Sequence, residues 1–167
     1  MMSIGFRTMK ALIVYYSRTG RTKKIAETIQ SALNCEIERI HDTKNRDGLI
    51  GWFSAGREAG RKSTTKLKGV QYNPSDYDLV IIGSPTWNGH VSVPIRTYIQ
   101  QHQEDLKHVA LFSTGDVDKR SAIDDMKEML KKRAFIRMHL TRENEIDNNK
   151  YHKKVESFVE KIKSFMH

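Results

Sequence analysis

From residue 10 onward the hydrophobic pattern switches repeatedly between short apolar β-rich runs and segments with a helical period. That alternation restricts the fold more than any other feature of the chain. Residues 10–16 (KALIVYY) are almost continuously apolar, as expected of a strand buried on both faces. After Gly20 the period changes: Ile25, Ile29 and Leu33 recur every fourth residue, with Ala26 and Ala32 beside them, predicting a helix with one apolar stripe. Residues 35–40 predict a short second strand, 78–83 (DLVIIG) a third, 109–113 (VALFS) a fourth and 134–140 (AFIRMHL) a fifth. A helix is predicted over about 92–103, with Pro94 tolerated in its first turn and Ile95, Tyr98 and Ile99 facing inward. Another, capped by Asp118, places Ala122, Met126, Met129 and Leu130 on its inner face. Tyr151, Val155, Phe158, Val159, Ile162 and Phe165 define the last helix. Residues 42–77 are the least periodic. A helix is expected there over about 47–62, although Gly48, Gly51, Gly56 and Gly60 lower its propensity. Strand and helix alternate throughout, which calls for a parallel sheet covered by helices on both faces.

With 167 residues the chain suffices for one domain with a sizeable core. Residues 1–9 read as an extension ahead of the first strand and 10–167 as a single domain. No run approaches the ~18 apolar residues of a membrane span, and the start lacks the apolar core of a signal peptide. A cytoplasmic location is therefore expected. The single Cys35 excludes an internal disulfide and reads as a small buried hydrophobe; no Cys/His spacing resembles a zinc site.

In an open parallel sheet, ligands bind beyond the carboxyl ends of the strands where strand order reverses. Three loops leaving strand ends have unusual composition. The first is Ser17, Arg18, Thr19, Gly20, Arg21 and Thr22. A helix N-terminus offers unpaired N–H groups and a positive dipole end, Gly20 lets backbone approach a ligand, and three hydroxyls exceed what capping needs. Phosphate is the expected ligand, yet the spacing matches neither the Walker pattern nor the dinucleotide GxGxxG. The second loop is Gly83, Ser84, Pro85, Thr86, Trp87, Asn88, Gly89 and His90. A Trp between Pro and Asn-Gly is expected near the surface, either stacked on a flat ligand or folded onto the following helix. The third, Ser113, Thr114, Gly115 and Asp116 with Val117 and Asp118, contributes small residues and backbone groups at the same edge.

A strand followed by S-x-T-G-x-T, then GSPTWNG and FSTGD at successive strand ends, resembles the flavodoxin family over nearly the whole chain from Lys10 onward. The resemblance implies a flavodoxin-like three-layer α/β sandwich with a five-stranded parallel sheet, strand order 2-1-3-4-5, binding FMN. It implies that residues Ser17 to Thr22 wrap the FMN phosphate and that Ser84, Pro85, Thr86, Trp87, Asn88 and Gly89 border the isoalloxazine, with Trp87 stacked on one face. The Asn88–Gly89 peptide would lie near flavin N5, where Gly89 eases a peptide flip. Ser113, Thr114, Gly115 and Asp116 would border the pyrimidine edge. Two features depart from the family. The third loop carries no aromatic for the other flavin face, which is then open or covered by Trp52 or Phe53, residues that read first as core. The chain is also basic, with 29 Lys and Arg against 20 Asp and Glu, where electron-carrying flavodoxins are typically acidic. The long-chain insertion in the fifth strand is absent, as in short-chain forms.

The charge excess points to anionic partners. The implied function is one-electron transfer with an acidic redox partner protein. The alternative is an FMN-dependent NAD(P)H:quinone or other small-molecule oxidoreductase on the same fold. His90 reads first as a solvated loop residue and otherwise as a proton donor beside the ring. A response-regulator receiver is disfavoured because its acidic cluster after the first strand is replaced by Tyr15-Tyr16-Ser17. Nucleic-acid binding is disfavoured because the basic residues are dispersed and no RNA-binding or zinc signature is present.

Overall fold

A computed structural model describes residues 8–116, 120–131 and 134–167. Its elements follow the order β1 (Ala11–Tyr15), α1 (Arg21–Leu33), β2 (Glu36–Arg39), α2 (Gly48–Gly60), β3 (Leu79–Trp87), β4 (His90–Val91), α3 (Val93–His102), β5 (His108–Gly115), α4 (Ala122–Leu130), β6 (Ala134–Thr141) and α5 (His152–Met166). The main sheet runs β2-β1-β3-β5-β6, all parallel, and the two-residue β4 pairs antiparallel with β3. Counting the parallel strands alone, this is the expected 2-1-3-4-5 order.

Alternation along each strand sends side chains to two separate cores. From β1, Leu12 and Val14 join a cluster with Ala55 and Ala59 of α2, Tyr98 and Ile99 of α3, and Met126 of α4. Ala11, Ile13 and Tyr15 instead meet Ile25 and Ile29 of α1 and Val155, Phe158 and Ile162 of α5. A central strand hidden on both faces has to be apolar at every position, which is why residues 10–16 show no period of two. The close fit has a steric signature at Gly83 in β3: a Cβ there would lie 2.0 Å from Cζ of the buried Phe112.

β3 extends four residues beyond the expected end, through Ser84, Pro85, Thr86 and Trp87, because β5 pairs with it as far as Thr114 and β4 folds back on it. Asn88 (φ 51°) and Gly89 (φ 76°) make the two-residue turn between them; positive φ at both central positions is the geometry that Asn-Gly favours in a hairpin. What reads as a mobile loop is thus a paired strand with a tight tip.

The expected helix over 47–62 is α2, despite its glycines. Packing accounts for it: Ala55 and Ala59 are buried against Leu12 and Val14 of β1, and Gly51 lies so close to the Arg46 backbone just ahead of the helix that a Cβ would sit 2.4 Å from a main-chain carbon. Helix propensity yields to tertiary contact here. At α4, the expected cap Asp118 lies outside the described residues. Ser121 caps that helix, accepting from the Ile123 N–H in a reciprocal box with Asp124, whose carboxylate accepts from the Ser121 N–H. Ala32 of α1 is exposed, so the stripe of that helix is narrower than its composition indicates. No helix among the described residues is long and apolar enough to cross a membrane.

Candidate functional site

β1 lies between β2 and β3. The loop after β1 feeds α1 on one face of the sheet, while β3 leads through β4 to α3 on the other. The crevice of a doubly wound sheet opens where such connections part. Two adjoining hollows occupy it: a small one of about 90 Å³ at the start of α1 and a larger one of about 470 Å³ beside α2. They share Trp52, Thr86, Trp87 and Asp116, so they form one continuous cleft.

At the small end, Gly20 occupies the N-cap of α1 with φ 91°, a left-handed conformation in which a side chain is strained. Having no side chain, Gly20 leaves the helix start uncapped, with its first-turn N–H groups and dipole directed outward. The Gly20 N–H donates to Ser17 Oγ (3.1 Å), which folds the loop beneath the helix. Thr19 is exposed and its Oγ1 accepts from Arg21 Nη1 at 3.3 Å. The buried Thr22 and Thr114 hydroxyls lie 2.9 Å apart; one donates to the other, and the acceptor keeps its own proton to offer. Arg18 is half-buried, and its Nε is fully shielded with no hydrogen-bond partner among the described residues. Arg21 turns instead to Asp147, in a paired contact of 2.9 and 3.1 Å. That bond holds the Asp147 carboxyl below its ordinary range and raises the Arg21 pKa.

The second and third loops meet this end. Pro85, Thr86 and Trp87 line the small hollow together with Thr114, Gly115 and Asp116. Thr86 Oγ1 also accepts from the Ala122 N–H at 3.1 Å, fastening the tip of β3 to the start of α4. Gly115 is required by space, since a Cβ would approach Thr86 Cβ to 2.9 Å. Ser84 and Ser113 are not brought to the cleft by their side chains. Ser84 is fully buried against Ser92, whose N–H it accepts at 3.0 Å, and Ser113 Oγ lies 2.7 Å from His139 Nδ1.

Trp87 is 7% exposed, contrary to the expected surface position. As the last residue of β3 its side chain falls on the α2 face of the sheet. There it meets the Tyr16 ring edge-on at 5.4 Å and lies under the Arg46 guanidinium, also at 5.4 Å. One edge of the indole still reaches the cleft. Trp52 and Phe53, read first as core residues, are instead 51% and 67% exposed and pack edge-on at 5.0 Å along the larger hollow. The flat aromatic surface offered to the cleft is that of Trp52. Gly56 and Gly60 of α2 face Asn88; a Cβ on Gly60 would lie 3.4 Å from Asn88 Nδ2, an ordinary contact distance.

His90 is not a solvated loop residue. Its Nδ1 sits 3.0 Å from Asp125, a carboxylate that is 1% exposed. Asp125 also receives the Val91 N–H, Arg96 Nη2 at 2.9 Å and Arg120 Nη2 at 3.0 Å, while Arg120 Nε donates to the Gly89 carbonyl. Burial alone raises the pKa of this carboxyl, but the bonds from Val91, His90 and Arg96 outweigh it and hold the group low. The hairpin tip is therefore clamped from below by a buried anion. Sequence reading missed Asp125, because an Asp in the first turn of a helix, next to the capping Asp124, looks like ordinary helix-start chemistry. It missed Arg142 as well, which lines the small hollow and pairs with Asp116 at 3.1 Å. Its position just past the end of β6 is the signal that would have found it. No group of metal-ligating side chains occurs among the described residues.

Residues 57–164 match the model of a family described as Flavodoxin domain. The chain belongs to this flavodoxin family. The matched span starts within α2, after the first loop. A flavoprotein from Lactobacillus acidophilus NCFM, solved in complex with FMN, is 28% identical with a TM-score of 0.64, covering 84% of this chain and 97% of its own. The Fusobacterium nucleatum flavodoxin bound to flavin mononucleotide is 15% identical with a TM-score of 0.62, covering 95% and 99%. Oxidised flavodoxin 1 from Bacillus cereus is 17% identical with a TM-score of 0.56, covering 92% and 97%. The last two share the flavodoxin fold with this chain.

Proposed function

We propose that this flavodoxin-domain chain binds FMN in the cleft and serves in electron transfer. One observation carries the reading: an uncapped helix start with an unpartnered buried cationic nitrogen lies at one end of a continuous cleft, and an exposed indole lines that cleft along both of its hollows. The donor set suits a phosphate monoester. Arg18 Nε, the first-turn N–H groups of α1, Thr19 and the spare proton of the Thr22–Thr114 pair would hold the phosphate, and Arg142 would balance its charge. Trp52, Thr86, Asn88 and the exposed edge of Trp87 would border the ring. Bound there, FMN supplies a group that accepts and returns electrons. The chain's residues would fix it at both ends, keep water from one ring face and hold the Asn88–Gly89 peptide against the ring edge through the Arg120 and Asp125 clamp. The L. acidophilus flavoprotein solved with FMN supports the choice of cofactor.

The basic surface favours an acidic redox partner, whose binding should weaken steeply as salt rises. A second reading, reduction of a small molecule such as a quinone by NAD(P)H, is favoured by the breadth of the larger hollow under Trp52 and Phe53. An absorption spectrum of the purified chain with added FMN, followed by removal of unbound flavin, tests the cofactor. Retention of FMN, and its loss in Thr19→Ala with Thr22→Ala, are expected; equal retention by that variant would remove the first loop from the site. NAD(P)H oxidation with a quinone separates the two readings, since a carrier alone shows little turnover.

A further inference from the structure

On the other side of Arg18 from the cleft lies a third hollow of about 300 Å³, bounded by the end of β1, the end of β2 and the residues leading to α2. Its walls carry Arg18, Arg39, Lys44, Arg46 and Lys68. Three carboxylates answer them: Asp42 and Asp47 in the wall, and Glu58, which binds Lys44 and Arg46 from α2. Five cations against three anions leave a surplus of two positive charges, before His41 in the same wall is counted. The chain's general basicity does not explain such a concentration in a concavity.

Arg46 gives the second and independent sign. Its side chain is 2% exposed and bonds Asp42 at 2.8 Å and Glu58 at 2.9 Å, yet its Nη1 is shielded and has no hydrogen-bond partner among the described residues. Arg46 thus brings to the hollow a guanidinium whose two carboxylate partners leave one donor unused. The frame is also built. Asp42 pairs with Leu67 in a β-bridge, the Thr43 N–H donates to the Lys66 carbonyl at 3.0 Å, and the Lys68 N–H donates to the His41 carbonyl at 2.8 Å. These bonds hold residues 66–68 alongside residues 41–43, so that Lys68 and Arg46 both line the hollow. Arg39 Nη2 donates to the Ser17 carbonyl at 2.7 Å, tying this wall to the first loop. Burial, with Arg39 and Lys68 nearby, lowers the His41 pKa, as a positive surround requires.

We infer that this hollow is a second anion site, distinct from the start of α1, which takes the phosphate or pyrophosphate group of a small ligand. Its two faces join at Arg18, so an occupant would sit beside the proposed cofactor phosphate without replacing it. A phosphate ester or the pyrophosphate of a dinucleotide would present the same chemistry.

Inorganic pyrophosphate is the probe, titrated by calorimetry into the full chain with and without saturating FMN. With FMN bound one equivalent should bind, with an affinity that falls as NaCl rises; without FMN a further equivalent is expected at the vacant start of α1. Lys68 is exposed and makes only a backbone bond, so Lys68→Glu should fold normally. It should weaken pyrophosphate at least about tenfold through charge reversal while leaving FMN retention unchanged. NADP⁺ added in competition separates the sources: displacement indicates a dinucleotide, and binding without displacement a simpler phosphate. The inference is overturned if pyrophosphate does not bind, if Lys68→Glu binds it as well as the parent, or if saturating FMN leaves none bound. Failure to retain FMN would sink the cofactor reading alone, because the Lys68 effect on pyrophosphate is read without it.

Discussion

Replacing Asp125 by Asn keeps the volume of a buried side chain and removes its charge. In the parent, that carboxylate is 1% exposed and answers Arg96, itself 4% exposed, together with the Val91 N–H, His90 and Arg120. Asn keeps one acceptor oxygen and turns two amide hydrogens towards groups that are themselves donors. Arg96 would then remain buried without a counter-charge; its Nε already lacks a partner among the described residues. Breaking a buried ion pair by removing one member costs about 3–5 kcal/mol. For a domain of this size that corresponds to a fall in Tm of about 10 °C or more. Urea denaturation at pH 7 measures the loss, with Arg120→Ala as the control. Arg120 is 53% exposed, so truncating it should cost no more than about 1 kcal/mol. The sign with pH also follows. The folded-state pKa of Asp125 is depressed, so its contribution is complete above the ordinary carboxylate range near ~4 and is lost as pH falls through the lower folded value. The gap between parent and Asp125→Asn should accordingly narrow in acid. A loss under about 1 kcal/mol at pH 7, or one equal to that of Arg120→Ala, would refute the clamp.

Gly83→Ala should fail to fold or lose more than about 4 kcal/mol, since its Cβ would overlap the Phe112 ring; circular dichroism and denaturation check this. Trp52→Ala should change stability by under about 0.5 kcal/mol because the side chain is half exposed, yet weaken FMN about 3- to 10-fold and brighten flavin fluorescence. Unchanged affinity and emission would place the indole outside the site. The flavin potential should be less negative than in acidic flavodoxins, because Arg18 lines the small hollow and the chain is basic, although Arg21 is paired with Asp147, Arg142 with Asp116 and Lys23 with Glu27. Spectroelectrochemical titration decides it, and a value as low as theirs would contradict the reasoning.

Much of the architecture could be read from the chain because it rests on local pattern. The unbroken apolar run at residues 11–15 belongs to a strand covered on both faces, and the every-fourth-residue stripe of α5 to a helix covered on one. The first loop was legible for the same reason: Gly20 and its hydroxyl neighbours stand together in sequence as they do in space. Trp52 and Phe53 were read in reverse, and Trp87 was left between stacking on a ligand and folding inward. An aromatic in a helix looks like core and one beside a turn like surface, but β3 continues up to the turn and carries Trp87 inward, while α2 leaves Trp52 and Phe53 out.

What the sequence determines by itself is therefore the order of strands and helices, the strand ends from which the three small-residue loops leave and the glycine that starts α1. These depend on neighbours a few residues apart. Only the tertiary structure decides which aromatic faces the cleft, that Asp125 anchors the hairpin from 34 residues away along the chain, and that Arg18, Arg39, Arg46 and Lys68 share one hollow. Burial and charge balance are set by whatever arrives from distant segments, and no local pattern encodes that.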